Sequence, residues 1–459
     1  MNKLDSDLVI AQLSDDGFDR IENPDDAGVI IFNTCSVRQH AEDKVLTKVN
    51  QFKKRYQQHR DVIIAIIGCM AQRMGQQLLD ENPQVAVVCG PGQLHELSDL
   101  IQNAVASLED EHQKLAPQSE GRRKKKANPQ RIVSLNNPEQ QELMEQLDST
   151  RTHRDFDHPF MAYVRVMKGC NNFCHYCIVP YVRGREYYRP IENIVDECKR
   201  LADDGIKEII LLGQAVNSYK YIEKGKTLNL ADVIERVNEI DSVQRIRFVT
   251  SYPRDFDYRI FEMMAAMPKV CSYLHMPAQT GSGKMLKAMN RHYTIGRYDE
   301  IIEKAREIVP DIAIAGDFIA GYCGETEQDQ QQTLDLIKRV RYKNIFAFFY
   351  SPRPGTKAYD KFEDNVPMEI KKRRLKEILD LQNEIAAEYN QNFIGKTVEV
   401  LVEGPSKKTK QNETADSNHI QLTGRTQGDH IVVFDGTKEM IGTLKNIKIE
   451  KTTSLTLFG

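Results

Sequence analysis

The 459-residue sequence contains no tryptophan, no apolar run of membrane-spanning length and little net charge. With no signal-peptide core in Met1–Asp5, these absences predict a soluble cytoplasmic protein without a membrane segment. A net charge of −3 gives no overall attraction for nucleic acid, so any RNA partner has to be bound by local patches. The length is too great for one core and predicts several domains.

Nine cysteines are present, and in an unexported chain they indicate metal binding rather than disulfides. Cys170, Cys174 and Cys177 follow a strand-like apolar run at Cys-x-x-x-Cys-x-x-Cys spacing. Thiolates so close along a loop can converge on one soft metal centre. Three ligands are one fewer than a structural zinc site or an electron-transfer cluster uses. A 4Fe-4S cluster held by three thiolates therefore has one iron open to a small molecule.

Two other interpretations of this loop stay open, namely a zinc site completed by His175 and ordinary buried cysteines. His175 lies between two of the thiols, where its ring would have difficulty reaching the same metal ion. We therefore favour the iron–sulfur interpretation.

Residues 1–105 alternate helical and strand patterns and predict an open α/β (flavodoxin-like) domain. Cys35 and Cys69 follow predicted strands, where ligands gather at the carboxyl edge of a parallel sheet. Cys89 follows a third strand, and we expect it to pack in the core rather than serve as a substitute ligand. Residues 106–157 lose this periodicity and predict a linker, whose basic run at 122–126 we expect to be solvated.

Residues 158–355 repeat strand then helix six times, which predicts an open, partial (β/α)6 barrel with its chemistry at the carboxyl ends of the strands. A helix from Met368 to about Asn390 follows. After Gly395, five short strands with period-two patterning predict a small β-barrel of the oligonucleotide-binding kind. The candidate phosphate contacts in that domain are Lys407, Lys408, Lys410 and Arg425.

The cysteine loop and its continuation, CNNFCHYCIVPYVRGREYYRP, resemble the radical S-adenosylmethionine methylthiotransferases. The family's other motifs follow in order, as NTCSVR, GCM, LLGQAVNSY, TSYPRDF, HMPAQTGS, MNRHYT, GDFIAGYCGET, YSPRPGT and LTGRTQGDHIVVFDG. The resemblance implies an N-terminal cluster domain at 1–105, a radical barrel at 158–390 and a TRAM RNA-binding domain at 391–459.

The resemblance also implies two 4Fe-4S clusters and S-adenosyl-L-methionine as cofactors. Cys170, Cys174 and Cys177 would bind the cluster that cleaves S-adenosylmethionine. Cys35 and Cys69 would bind a second cluster that carries the sulfur to be inserted. Further cofactor contacts are expected at Tyr176, Gln214, Asn217 and Gln279, with a satisfied hydrogen bond inside the barrel as the alternative for each polar residue.

Within the family, VNSY and the GRT…VVF stretch favour enzymes that methylthiolate C2 of N6-isopentenyladenosine beside the tRNA anticodon. That aromatic C–H is neither acidic nor a leaving-group position, so a carbon-centred radical is needed to replace it. The alternatives are threonylcarbamoyl-adenosine in tRNA, an aspartate of a ribosomal protein, or an inactive RNA-binding relative. We expect tRNA, an electron donor and sulfur- or cluster-delivery proteins as partners of a monomer.

The sequence departs from the family pattern at its start, where Met1–Ser6 aligns with the end of Gly-Cys-Gln-Met-Asn-x-x-Asp-Ser. The second cluster's first cysteine, and the strand before it, would precede Met1. We expect a misassigned start rather than a natural chain, because loss of a central strand would leave neighbouring strands uncovered. A chain that begins at Met1 is expected to hold nearer to one cluster than two and to cleave S-adenosylmethionine without methylthiolating adenosine.

Overall fold

The computed structural model describes residues 1–36, 39–58, 62–114, 130–135, 141–151, 159–407, 409 and 419–459. The chain divides into two units. The N-terminal unit comprises Met1–Phe156, Lys168–Asn171 and Cys177–Glu186, and the C-terminal unit comprises Asp157–Met167, Asn172–Tyr176 and Tyr187–Gly459. In the ranges described, no helix is both long and apolar enough to cross a membrane.

The N-terminal unit alternates helices with parallel strands. Its strands are β1 (Val29–Asn33), β2 (Ile63–Ile67), β3 (Val85–Cys89) and β4 (Ile132–Ser134). Its helices are α1 (Asn2–Asp15), α2 (Gln39–Gln51), α3 (Lys53–Gln58), α4 (Cys69–Met74), α5 (Gln76–Glu81), α6 (Leu97–Lys114), α7 (Gln141–Thr150) and α8 (Val179–Arg183).

The four strands form one parallel sheet in the order β1-β2-β3-β4, which confirms the open α/β prediction. Helices α1 and α6 pack on one face of the sheet, and α2, α4 and α5 pack on the other. Because β2 and β3 are covered on both faces, every residue of each is buried, as their uninterrupted apolar sequences require.

One expectation for this unit holds only in part, and one prediction is corrected. β1 pairs directly with β2, from Val29 opposite Ile63 to Asn33 opposite Ile67, so β2 is not left uncovered. Among the described residues β1 has no second strand beside it, and four of its five residues are only half-buried. The linker prediction for 106–157 is wrong in part, because α6 continues to Lys114, β4 pairs with β3, and α7 follows. β4 has only three residues, and the end of α6 and the whole of α7 are rich in polar residues, so no periodic pattern stands out there. The basic run at 122–126 lies outside the described residues.

The C-terminal unit contains a strand–helix repeat followed by an antiparallel sheet. The repeat consists of β5 (Met161–Arg165), β6 (Met167–Lys168), β7 (Tyr187–Tyr188), α9 (Ile191–Asp203), β8 (Glu208–Leu212), β9 (Lys220–Glu223), β10 (Lys226–Asn229), α10 (Leu230–Asn238), β11 (Arg245–Val249), α11 (Arg259–Ala266), β12 (Tyr273–His275), α12 (Gly283–Ala288), α13 (Ile295–Ile308), β13 (Ala313–Ala320), α14 (Glu327–Val340), β14 (Asn344–Phe349) and α15 (Lys357–Lys361). The final elements are α16 (Met368–Gln391), β15 (Thr397–Pro405), β16 (His419–Arg425), β17 (Ile431–Thr437), β18 (Leu444–Lys448), β19 (Lys451–Thr452) and β20 (Thr456–Phe458).

Six parallel strands form the partial barrel, as predicted. Strands β5, β8 and β11 form one three-stranded sheet, and β12, β13 and β14 form a second. A bridge between Ile246 and Val270 joins the two, with the Ile246 N–H donating to Lys269 O at 2.7 Å. The barrel therefore stays open between β5 and β14, the two strands at the ends of this order.

Among the described residues, the C-terminal sheet has six strands in the order β18-β15-β16-β17-β20-β19, one more than predicted. Its two end strands follow each other in the chain with only Ile449 and Glu450 between them, so the sheet curls into the expected small barrel. Val400, Leu422, Val432 and Leu457 are fully buried in its core.

Buried arginines attach this small barrel to the amino ends of the larger barrel's strands. Arg245 Nη1 donates to Arg425 O at 2.6 Å, and Arg247 Nη1 donates to Gln427 O at 2.9 Å. Arg247 also forms a buried ion pair with Glu208 at 2.7 Å. Arg247 therefore satisfies carbonyls of the turn after β16 while keeping a carboxylate partner, which a buried cation requires. Arg245 satisfies a carbonyl at the end of β16 and pairs with Glu399 at 3.2 Å.

Arg247→Met should lower the free energy of unfolding by about 3–5 kcal/mol, because it leaves the Glu208 carboxylate buried without its cation. Urea denaturation of the full chain measures the change. The control is Arg254→Met, since Arg254 is 43% exposed and its ion pair with Asp255 lies at the surface. That variant should change stability by no more than about 0.5 kcal/mol. Equal effects of the two substitutions would contradict the attachment described above.

Candidate functional site

The three-cysteine loop lies between β6 and α8, and its first part is packed against residues 184–186 of the N-terminal unit. Gly169 has φ +76°, and a Cβ there would lie 2.0 Å from Arg185 O. The Cys170 N–H donates to Gly184 O at 3.1 Å, and the Asn171 N–H donates to a Glu186 carboxylate oxygen. Only glycine meets both the positive φ and the close approach at position 169.

The middle of the loop is held within the C-terminal unit by backbone hydrogen bonds. The His175 N–H donates to Met289 O at 3.0 Å, and the side chain of Asn290 donates to Phe173 O. The His175 ring nitrogen Nδ1 lies 2.9 Å from Ala288 O, and its ring contacts Phe362. These contacts use the ring in packing and disfavour the zinc site that His175 would complete.

Cys174 is buried, whereas Cys170 and Cys177 are half-buried. Within the described ranges, no three His, Cys, Asp or Glu side chains are already gathered as a metal site. The assignment of these thiols to one cluster therefore remains a prediction from their spacing.

Cys35 and Cys69 meet in the N-terminal unit, as predicted from their positions after β1 and β2. A hydrogen bond from Cys35 lowers the pKa of the Cys69 thiol to about 6, although burial opposes the shift. The positive charge of Arg183 also lowers this pKa, and its Nε donates to Cys69 Sγ at 3.3 Å. The donor set therefore favours thiolate, the form that binds iron.

Sequence reasoning missed Arg183, which links Cys69 to the start of the chain. Its guanidinium pairs with the fully buried Asp5 at 2.5 Å and donates to the Asn2 side chain at 3.3 Å. These contacts give the Asn-x-x-Asp of the opening motif a structural role. Arg183 is 114 positions from Cys69, so no local pattern indicated the pairing.

The predicted cofactor contacts divide into two groups. Both amide atoms of Gln214, just after β8, are buried and have no hydrogen-bond partner among the described residues. The same holds for Ser251 Oγ, which follows the neighbouring strand β11 and was not predicted. Such groups are costly unless a ligand or water satisfies them. A polar cofactor at the carboxyl ends of these strands fits them.

Asn217 already has its partners, since its side chain donates to Tyr252 O at 2.8 Å and accepts from the Tyr252 N–H at 2.6 Å. The geometry of Asn217 therefore matches the alternative prediction, in which the side chain has its hydrogen bonds satisfied inside the barrel. Gln279 has φ +69°, and its backbone continues the pairing with β13 through Asp317 and Ile319. Tyr176 packs edge-on against Tyr322, with ring centroids 6.4 Å apart.

Of the predicted RNA contacts, Lys407 is exposed, whereas Lys408 and Lys410 lie outside the described residues. Arg425 pairs with Glu403 at 3.1 Å and with Asp429 at 2.8 Å. Two carboxylates therefore offset its charge, which weakens the case for it as a phosphate contact.

The remaining cysteines pack in the interior, as expected. Cys89, Cys198 and Cys271 are buried, and Cys323 is nearly so. Burial raises the pKa of Cys89 and holds it as a thiol, and its Sγ donates to Gln93 O at 3.3 Å. A buried neutral thiol is a poor substitute for a cluster ligand.

Comparison with known proteins gives full-length matches. The chain is 42% identical to tRNA-2-methylthio-N(6)-dimethylallyladenosine synthase of Rhodopirellula baltica, covering 100% of this chain and 93% of that protein. It is 40% identical to the Clostridium botulinum protein of that name, with 100% and 94% covered. The chain belongs to the radical S-adenosylmethionine methylthiotransferases.

Family models divide this methylthiotransferase chain as its motifs do. Residues 1–90 match the uncharacterized protein family UPF0004, 164–337 match the radical SAM superfamily, and 391–459 match the TRAM domain. A solved structure of the radical S-adenosylmethionine methyltransferase TsrM from Kitasatospora setae matches with a TM-score of 0.51 and 16% identity. That match covers 78% of this chain and 70% of TsrM, and at this identity it supports the fold alone.

The titration of Cys69 gives a test of the N-terminal pair. Its folded-state pKa of about 6 lies below the unfolded value of about 8.5. The thiolate therefore contributes stability that is fully present above pH ~8.5 and is lost as the pH falls through 6. Arg183→Met should raise this pKa, because it removes a positive charge beside the sulfur.

The pKa is measured in the metal-free protein from the 13Cβ shift of labelled cysteine, with Cys69→Ser for assignment. Arg55→Met, at a half-buried arginine of the same unit that donates to the Pro24 and Asp25 carbonyls, should leave the pKa unchanged. A Cys69 midpoint near 8.5 in the parent would contradict the geometry.

Proposed function

We propose that this protein methylthiolates C2 of N6-isopentenyladenosine next to the anticodon of tRNA, giving 2-methylthio-N6-isopentenyladenosine. The observation that carries the proposal is the full-length identity to proteins named for this synthase activity. The spacing of Cys170, Cys174 and Cys177 supports it independently, because three thiolates leave one iron of a 4Fe-4S cluster open.

Two sets of side chains would hold the cofactors. Cys170, Cys174 and Cys177 would bind the radical cluster, and Cys35 with Cys69 would supply ligands to the second cluster. A 4Fe-4S cluster held by Cys170, Cys174 and Cys177 would supply the electron for reductive cleavage of S-adenosylmethionine. Gln214 and Ser251 would donate to and accept from the polar groups of S-adenosylmethionine, which would satisfy their unpartnered atoms.

The chain's own contacts would orient this chemistry. The hydrogen bonds of His175 and Asn290 hold the middle of the cysteine loop, which keeps Cys174 in place as a ligand. Arg183 holds Cys69 in place and compensates the negative charge of its thiolate. Burial of Cys69 and Cys174 limits access of water and oxygen to their sulfur atoms.

We assign the cluster domain to 1–105, the radical barrel to 158–390 and RNA binding to 391–459. The protein would act in the cytoplasm with an electron donor and a sulfur- or cluster-delivery partner. The other candidate substrates are tRNA with threonylcarbamoyl-adenosine and a ribosomal-protein aspartate. The candidate substrates differ in the chemical group next to the carbon that reacts, so a direct comparison of the three distinguishes them.

The substrate class is tested with anaerobically reconstituted protein, S-adenosylmethionine and a reductant. The three candidate substrates are tRNA carrying isopentenyladenosine, tRNA carrying threonylcarbamoyl-adenosine, and the ribosomal protein. We expect isopentenyladenosine tRNA alone to stimulate release of 5′-deoxyadenosine and to acquire any methylthio group. Mass spectrometry of nucleosides and peptides measures both products. Stimulation by either of the other two would overturn the assignment.

Cys174→Ala should reduce 5′-deoxyadenosine release to background, because the cluster that splits S-adenosylmethionine loses a ligand. Cys198→Ala is the matched control, since Cys198 is also a buried cysteine but lies on helix α9. It should keep its iron and its activity. Equal loss in the two variants would point to general damage to the fold.

The RNA-binding assignment predicts a salt-dependent effect. Replacing Lys407, Lys408 and Lys410 together by Ala should weaken tRNA binding. The slope of log K against log salt should fall by about 0.7–0.9 for each phosphate that the variant no longer neutralises. Lys376→Ala is the control, because this lysine is 75% exposed and pairs with Asp380 on α16. Filter binding at several salt concentrations gives the slopes, and an unchanged slope in the triple variant would contradict the assignment.

A further inference from the structure

Arg291 is a buried cation beside one of the candidate cluster ligands. It follows α12 and is 9% exposed. Its Nη1 donates to Cys174 Sγ at 3.7 Å, and its Nη2 donates to Pro277 O at 2.8 Å. The guanidinium also lies over the rings of Tyr252 at 4.4 Å and Tyr293 at 5.1 Å, so it is held on several sides.

The charge of Arg291 is not compensated by a carboxylate, in contrast to the charges of Arg189 and Arg247. Arg189 pairs with Glu197 at 2.6 Å, and Arg247 pairs with Glu208 at 2.7 Å. Across the part of the chain that the structure describes, Arg291 has no carboxylate partner, and its buried Nε has no hydrogen-bond partner. A buried cation without an anion is strongly unfavourable, so a negatively charged group beside Arg291 would be stabilising.

The sulfur of Cys174 is where that negative charge would arise. A cysteine that binds iron does so as thiolate, and hydrogen bonds to cluster sulfurs are among the main determinants of cluster potential. We propose that Arg291 is a positioning residue for the radical cluster: it holds Cys174 Sγ and makes the cluster easier to reduce. This inference rests on the proposed function only in assigning Cys174 to that cluster.

The direction of the effect follows from charge. Reduction adds one electron to a cluster that thiolates already make negative. A cation at the sulfur stabilises the reduced form more than the oxidised form, because the attraction grows with the negative charge. Removal of the guanidinium should therefore lower the midpoint potential. The rings of Tyr252 and Tyr293, over which the guanidinium lies, limit its movement away from the sulfur and so preserve the effect.

The test uses the full chain with Cys35→Ala and Cys69→Ala, so that the three-cysteine loop is the only cluster site. Arg291→Met removes charge and hydrogen bond, Arg291→Gln removes the charge but can still donate, and Arg291→Lys restores a charge. EPR-monitored redox titration gives the midpoint potential, and iron analysis gives cluster content. We expect Arg291→Met and Arg291→Gln to reduce the equilibrium constant for reduction at least tenfold, or 59 mV for one electron. The midpoint potential of Arg291→Lys should lie between those of the two neutral variants and that of the parent protein.

The control is Arg245→Lys, at the amino end of β11, which should leave the potential unchanged. Full iron content with an unchanged potential in the neutral variants would overturn the inference. If Arg291→Met fails to hold iron, the midpoint potential of Arg291→Gln decides instead: an unchanged potential overturns the inference. If both neutral variants lose iron and Arg291→Lys retains it, the result supports the need for a cation at this position. A parent without iron would instead overturn the radical cluster itself, and this inference with it.

Discussion

A buried guanidinium needs negative charge or carbonyl oxygens around it, and this requirement connects parts of the chain that are far apart in sequence. Arg247 pairs with Glu208 and donates to the turn after β16, which attaches the small C-terminal barrel to the larger one. Arg183 brings Asp5 beside Cys69 in the N-terminal unit. Arg291 contacts Cys174 without any described carboxylate partner. Two of these three arginines, Arg183 and Arg291, therefore contact candidate cluster ligands. Their positive charge affects the chemistry of the ligand sulfur atoms as well as the packing.

The fold was largely predictable because the apolar patterns are strong. Runs such as 63–67 and 85–89 are apolar throughout and become strands buried on both faces. The six barrel strands follow the same alternation with helices. The short strand β4 was missed because its three residues give no periodic signal. Direct pairing of β1 with β2 was missed because strand order is set by tertiary packing, and local sequence patterns carry no information about that packing.

The candidate site was predictable only where its residues lie on loops with recognisable spacing. Cys35 and Cys69 follow adjacent strands, and the structure brings them together. Asn217 was expected to face the cofactor, but an amide that fits a backbone N–H and a carbonyl looks the same in sequence as one that binds a ligand. Arg183 and Arg291 were missed because their sulfur partners are more than 110 positions away.

The central claim is that three thiols of one loop hold a 4Fe-4S cluster with an iron open to S-adenosylmethionine. EPR of the reduced, anaerobically reconstituted chain, recorded with and without S-adenosylmethionine, tests it most directly. The Cys35→Ala, Cys69→Ala background isolates the signal of this loop. The account predicts a cluster signal that changes when S-adenosylmethionine is added. A signal indifferent to S-adenosylmethionine, or a loop that takes up zinc in place of iron, would contradict it.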